Sequence, residues 1–382
     1  MQRVELEAHK DLPQAVADVP ARSGVFIIET GGEPYINKSH QLRRRVTRML
    51  EPPQENSKRL TLHATAQSVW YRETGSAFES SVLLWQLHRA YFPDSYRRRL
   101  RMRPPMLVKF LWQNEYPRCY LTRRLANGPA LYFGPFPSRA TATKFMETFL
   151  DLFLIRRCVE TIHPDPAHPG CIYGEMKMCL RPCQAATTVE EYRAESTRVR
   201  DFLETQGTSL VRTLEASREE AAAAMEFERA ADIHKRLEKV KAALDFPELA
   251  AKGGLATDVE HLHGIVVQRS AAAESVELFP VYRGYLLDRI TFPLAADAET
   301  GKSVSLDARL RAAVGEVKLD GRGRRWEQLA LLSRWFYRGS RQGEFVGFES
   351  YDKAPIRRIV NAIGRVARGE KTEPQINAEE HR

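Results

Sequence analysis

The chain has 382 residues, 43% of them hydrophobic and 28% charged, a balance that excludes wholesale disorder and suits about two to four compact modules. Its formal net charge of +9 points to polyanionic partners, nucleic acid first among them. No run of about 18 apolar residues occurs, and the charged start, MQRVELEAHKDL, lacks the centre of a secretory signal, so a cytoplasmic protein without a membrane span is expected.

Residues 20–112 read as a small α/β unit. Gly24-Val25-Phe26-Ile27-Ile28 is a short apolar run, broken by Gly31-Gly32 and followed by Tyr35-Ile36, the pattern of strand, tight turn and strand. Over 41–50 the pattern becomes helical, with Leu42, Val46 and Met49 on one face. A second helix is expected over 76–91, through Val82, Leu83, Leu87 and Tyr91, and a buried strand over 106–112. Residues 113–185 read as irregular; they carry all five cysteines and several prolines. In the next region, 186–250, no proline interrupts 189–244, and the Ala, Glu, Arg and Leu content favours helix throughout. Phe227, Ala230, Ile233, Leu237, Val240 and Leu244 form one apolar stripe there. After Gly253-Gly254, residues 257–370 are expected to form a small antiparallel sheet with helices. Its strands are placed at 263–268, 275–282 and 285–292, with Arg283-Gly284 as a hairpin turn, and its helices at 326–337 and 355–366. The fold class is α+β and multidomain.

Gly24-Val25-Phe26, Tyr35-Ile36-Asn37-Lys38 and Leu42-Arg43-Arg44-Arg45 together resemble the GIY-YIG nuclease motif as the UvrC family carries it. The resemblance implies tyrosines, a lysine and an arginine around a scissile phosphate, and a glutamate from a later helix holding Mg or Mn. Those groups suit the task, because cutting needs an activated water, positive charge on phosphoryl oxygens and a metal on the leaving oxygen. Tyr35, Lys38 and Arg45 fall on family active-site positions. Phe26 stands where the first tyrosine would, Asn37 where a glycine would, and Leu84 where the metal-binding glutamate would. The family's asparagine beyond Pro93 is also replaced, by Ser95-Tyr96-Arg97. Glu79 lies five residues before Leu84, about 140° around a helix, and cannot simply substitute. A GIY-YIG fold that has lost its cut is expected.

Five arginines follow within seven residues, Arg97, Arg98, Arg99, Arg101 and Arg103. With Arg43, Arg44 and Arg48 they suit a DNA backbone, through charge and forked hydrogen bonds. Cys158, Cys171, Cys179 and Cys183, separated by twelve, seven and three residues, can supply four thiolates to zinc or to an iron–sulfur cluster, and the spacing does not choose between them. Their flanks, Tyr132-Phe133-Gly134-Pro135-Phe136-Pro137-Ser138, Phe153-Leu154-Ile155-Arg156-Arg157-Cys158 and Cys179-Leu180-Arg181-Pro182-Cys183, are again similar to UvrC, which implies a 4Fe–4S cluster.

Met225-Glu226-Phe227-Glu228-Arg229-Ala230-Ala231-Asp232 resembles the UVR motif shared by UvrC and UvrB. The family's short hairpin docks on its UvrB counterpart, and so on the UvrA–UvrB complex. Phe227 would be the anchor, with Glu228, Ala230 and Ala231 beside it. No Gly or Pro announces the turn. Full-length members continue into a second, RNase H-like nuclease domain and helix-hairpin-helix repeats, for which 382 residues leave no room, so a shortened member is expected. The leading reading is a DNA-binding factor of nucleotide excision repair that docks on UvrB with an impaired nuclease site. An active metal-dependent endonuclease cutting one strand and an iron–sulfur redox sensor that binds DNA are the alternatives. Residues 300–382 stay unexplained, apart from a basic-aromatic string, Arg334-Trp335-Phe336-Tyr337-Arg338, whose composition suits DNA contact but which reads first as a core helix.

Overall fold

The computed structural model describes residues 1–6, 16–52, 60–126, 130–249, 253–294, 305–315, 322–339 and 341–370. Three antiparallel sheets organise them. The first contains β1 (Gln2–Glu5), β2 (Gly24–Thr30), β3 (Tyr35–Ser39) and β4 (Ala66–Glu73), in the order β1-β4-β2-β3. Helix α1 (Leu42–Leu50) and helix α2 (Ala77–Tyr91) cover its two faces. Strand β2 therefore buries both faces: Phe26 and Ile28 pack with Leu42 and Val46, and Ile27 packs with Trp85. Gly24 is required there, since a Cβ would lie 2.3 Å from the Arg72 carbonyl oxygen on β4. Ser76 caps α2 by accepting from the Glu79 N–H. The short helix α3 (Tyr96–Arg99) closes the unit.

The strand expected at the end of this unit lies elsewhere. Strand β5 (Met106–Phe110) is central to a second sheet of β6 (Cys119–Thr122), β7 (Leu131–Phe136) and β8 (Thr257–Asp258), ordered β6-β5-β7-β8. Residues 113–185 are thus less irregular than their composition suggests, because they also contain α4 (Arg139–Leu150). All six residues of β7 are buried, so no alternation betrays the strand in sequence. An aromatic core fills the space below: Phe133 stacks on Phe145 at 5.0 Å, and Phe149 on Phe202 at 5.8 Å.

A one-turn helix, α5 (Ile172–Glu175), and three longer ones follow: α6 (Val189–Glu204), α7 (Thr208–Ala223) and α8 (Phe227–Ala243). The long helical stretch is broken twice. Gly207, at φ 82°, packs against Leu244, and Met225, at φ 57°, turns α7 back into α8. Met225 takes this left-handed backbone against a Cβ–carbonyl clash of about 1–2 kcal/mol, and its side chain is exposed.

The third sheet has β9 (His263–Arg269), β10 (Ser275–Tyr282), β11 (Tyr285–Leu286), β12 (Ile290–Pro293) and β13 (Glu344–Phe348). Arg283 and Gly284, both at positive φ, make the hairpin turn between β10 and β11. The single strand expected over 285–292 is two pieces, which pair with opposite ends of β10. Helices α9 (Leu306–Gly315), α10 (Arg322–Phe336) and α11 (Ile356–Arg368) complete this part. One core joins all three sheets: Phe78 from α2, Leu107 and Tyr132 from the second sheet, Phe279 and Val281 from the third, and Leu329, Leu332 and Trp335 from α10.

Candidate nucleic-acid interface and thiol cluster

On β3 alternate residues face opposite sides of the sheet. Tyr35 and Asn37 face α1. The Tyr35 hydroxyl accepts from Asn37 Nδ2 at 2.8 Å and from Arg45 Nη2 at 3.4 Å. Phe26 pairs across from Asn37, fully buried, with its ring 6.0 Å from that of Tyr35. Lys38 turns to the other face, where Nζ donates to Ser81 Oγ on α2 at 2.6 Å. Tyr35, Asn37 and Arg45 are therefore one hydrogen-bonded group, and Lys38 belongs to another.

Leu84 is half-buried among Trp85, Phe92, Tyr96 and, from α10, Leu331. That position is apolar and offers no oxygen to a cation. Glu79 accepts from the Gly75 N–H at 2.8 Å and pairs with Arg289 of the third sheet region. Among the described residues no carboxylate hydrogen-bonds to Tyr35 or Arg45.

The arginine run divides. Arg97 donates from Nε to the buried Glu327 of α10 at 2.7 Å, and its guanidinium lies 5.4 Å from the Trp326 ring. The same carboxylate accepts from Trp85 Nε1 at 2.8 Å and the Tyr96 hydroxyl at 2.7 Å. Arg99 pairs with Glu33 at 2.6 Å and covers Phe92. Arg97 and Arg99 are thus ion-paired to carboxylates of the same chain. Arg98, Arg101 and Arg103 are exposed, with no ion-pair partner among the described residues. On α1, Arg44 and Arg48 are likewise exposed, while Arg43 donates to the Val19 carbonyl at 2.8 Å. Nothing local in the sequence marks Glu327 as the partner of Arg97, 230 residues earlier.

Cys158, Cys171, Cys179 and Cys183 line one small cavity, with Arg156, Arg157 and Arg181 around them and no carboxylate or histidine in the lining. Helix α6 positions the first of them. Tyr192, fully buried, accepts from the Arg156 N–H at 2.8 Å and donates to the Pro117 carbonyl at 3.0 Å, while Glu195 accepts from the Leu154 N–H at 2.7 Å. Around the other three, Lys177, Arg181 and Ala185 hold left-handed backbone, with φ of 57°, 57° and 52°. Such turns in non-glycine residues cost about 1–2 kcal/mol each and persist only where surrounding contacts enforce them. Burial pushes the Cys179 thiol up to about 11, and the three neighbouring thiols add to it. An all-sulfur donor set ringed by arginines fits a soft metal group, whose thiolates carry negative charge. As placed, no group of three or more His, Cys, Asp and Glu side chains among the described residues is arranged to hold a metal ion. The thiols share a cavity, not a finished coordination sphere. Cys119 lies apart, buried in the aromatic core.

At the tip of the α7–α8 hairpin, Met225 and Phe227 are 76% and 71% exposed. Glu228 and Ala231 are exposed beside them, and Ala230 is half-buried.

A family model for the UvrC/Cho excinuclease middle domain matches residues 107–202, and one for the UvrB/uvrC motif matches residues 208–243. Curated proteins named UvrABC system protein C align with about four fifths of the chain. The one from Desulforudis audaxviator is 30% identical over 308 residues, covering 80% of this chain and 49% of its own length. The one from Carboxydothermus hydrogenoformans is 26% identical over 310 residues, covering 80% and 49%, and that from Rickettsia africae is 26% identical over 304 residues, covering 79% and 46%.

The chain belongs to the UvrC family. It spans about half the length of the curated relatives it matches. No solved structure matches it significantly. The UvrC middle-domain match begins within one residue of Met106, where the second sheet starts, and it takes in all four clustered cysteines. The UvrB/uvrC match coincides with the α7–α8 hairpin to its last residue, Ala243. The GIY-YIG resemblance of the first unit, and helix α10, lie outside both models. Among the described residues no helix is long and apolar enough to cross a membrane.

Proposed function

We propose that this UvrC-family chain serves nucleotide excision repair as a DNA-binding subunit that docks on UvrB, and that its GIY-YIG-like unit holds DNA without cutting it. The observation that carries the docking is the hairpin tip. Each large apolar side chain left in water forgoes about 1.5–3 kcal/mol of burial, and the Met225–Phe227 tip forgoes it twice on a two-helix element. Ala230 and Ala231 let a second helix pair approach closely. A matching hairpin on UvrB is the occupant this reading supplies, because the matched motif is described for both proteins.

The DNA reading rests on the net charge of +9 and on exposed arginines at 44, 48, 98, 101 and 103. The impaired cut rests on Phe26 and Leu84. For the thiol cavity, the proposed occupant is a 4Fe–4S cluster held by Cys158, Cys171, Cys179 and Cys183, with zinc as its competitor. Bound, it would supply an anionic cross-link between the 154–158 segment and the loops of 171–183.

Binding to the carboxy-terminal hairpin of UvrB tests the docking. Phe227→Ala is expected to weaken it by about 1–3 kcal/mol, the range of an anchor losing its ring. Unchanged affinity, or a parent chain that does not bind, would remove the docking role.

A further inference from the structure

Helix α10 turns one stripe toward the first unit. Glu327, Leu331 and Arg334 follow one another at intervals of four and three residues, which places them on a single helix face, and Arg338 lies two residues beyond the helix end at Phe336. Glu327 meets Trp85, and Leu331 packs in the cluster that holds Leu84 and Trp85. One turn before Trp85 on α2 stands Ser81, the acceptor for Lys38 Nζ. The Phe78 ring lies 5.1 Å from that of Trp335, so α2 and α10 run antiparallel and the arginine end of α10 lies at the Ser81 end of α2, on the side of Lys38. Burial, and then the charges of Arg334 and Arg338, lower the lysine's pKa. Both arginines are exposed, and neither they nor Lys38 has a carboxylate partner among the described residues. Three gathered cations without a counter-charge repel one another, and an anion placed between them would relieve the cost.

We propose that Lys38, Arg334 and Arg338 form a composite site for the phosphate backbone of DNA, built jointly by the first unit and the C-terminal helix. The site deepens the DNA-binding reading above and rests on it. Exposed cations on long side chains suit a polymer, because each phosphate contact adds a small increment and the increments sum along the strand. A free phosphate ion is better held in a concave nest of backbone N–H groups, which these three side chains do not provide. Helix α10, whose Leu331 packs on the same cluster as Leu84, also carries Arg334 and leads directly into Arg338.

Affinity of the full chain for a labelled DNA duplex, measured over a salt series, tests the site. Arg334→Ala with Arg338→Ala is expected to flatten the dependence of log K on log salt by about 1.8, roughly 0.9 for each lost contact. The charge-keeping pair Arg334→Lys with Arg338→Lys is expected to retain the parental slope. A parent that fails to bind DNA overturns the DNA-binding reading and this site together. A parent that binds, with a salt slope the alanine pair shares, overturns the site alone. Equal loss in the alanine and lysine pairs would assign the arginines to packing and overturn it as well.

Discussion

Cutting a phosphodiester takes an activated water and a hard cation held by oxygen donors, and the two positions that the GIY-YIG resemblance assigns to these tasks hold Phe26 and Leu84. Phe26 is fully buried against α1, and Leu84 packs on the cluster of Ile27, Ile36, Trp85, Phe92 and Tyr96, so both positions are apolar in their surroundings as well as in type. Tyr35 and Arg45 keep the donors that a phosphate needs. The parent chain is therefore expected to show no Mg- or Mn-dependent nicking above a protein-free blank, while Arg45→Ala still lowers its affinity for duplex DNA. Nicking by the unmodified chain, lost on Tyr35→Phe or Arg45→Ala, would overturn this. The types of these residues were legible from motif order and spacing. What surrounds them was not: the Asn37 amide on the Tyr35 hydroxyl and the Arg289 guanidinium on Glu79 come from pairings that no local pattern encodes.

Helices with strong periodicity and clear ends were readable to within a residue or two, α2 with its Ser76 cap above all. Strand β7 was missed because all six of its residues are buried and show no alternation, β6 because it has only four residues, and α4, although Ser138 caps it and Ala142, Phe145 and Phe149 mark one face, because it lies in a stretch read as irregular. The UVR-like hairpin turn needed the family resemblance, since Met225 takes a left-handed backbone that propensity alone would assign to glycine. Helix α10 was placed correctly, yet its consequence lies in one buried carboxylate. Glu327 gathers Trp85, Tyr96 and Arg97, and removing it strands two buried donors and a guanidinium. Glu327→Ala is expected to cost about 3 kcal/mol, the low end for breaking a buried charged pair because Arg97 stays half in water. Urea unfolding followed by tryptophan fluorescence reports on it, with Trp85 and Trp326 flanking the contact. A loss under about 0.5 kcal/mol, the size of an ordinary surface substitution, would show that α10 is secured by its apolar face alone.

Across the whole molecule the modules are not beads on a string. Strand β8, from residues 257 and 258, pairs with β7 more than a hundred residues earlier, and the Tyr337 hydroxyl donates to the Pro135 carbonyl at 2.8 Å. The shared core then fixes α10 against all three sheets. The thiol cavity belongs to this scale too, because its four cysteines come from separate loops that only α6 and the aromatic core bring together. Chain purified without oxygen is expected to be brown, with about four iron atoms per molecule and none after Cys179→Ala. Stoichiometric zinc would replace the iron–sulfur assignment, and absence of any metal would remove it. By itself the sequence determined the kinds of side chain available: the four thiols, the arginine excess, Phe26 and Leu84 at positions the GIY-YIG resemblance singles out, and the apolar UVR-like tip. Each of these is carried by residue type and short spacing, which survive in any fold. Only the tertiary structure decided which charges remain free, because an arginine becomes a DNA contact or an internal tie according to whether a distant carboxylate is folded against it. Arg97 is tied to Glu327, while Arg334 and Arg338, whose string read first as a core helix and second as a DNA contact, are exposed with no carboxylate partner among the described residues.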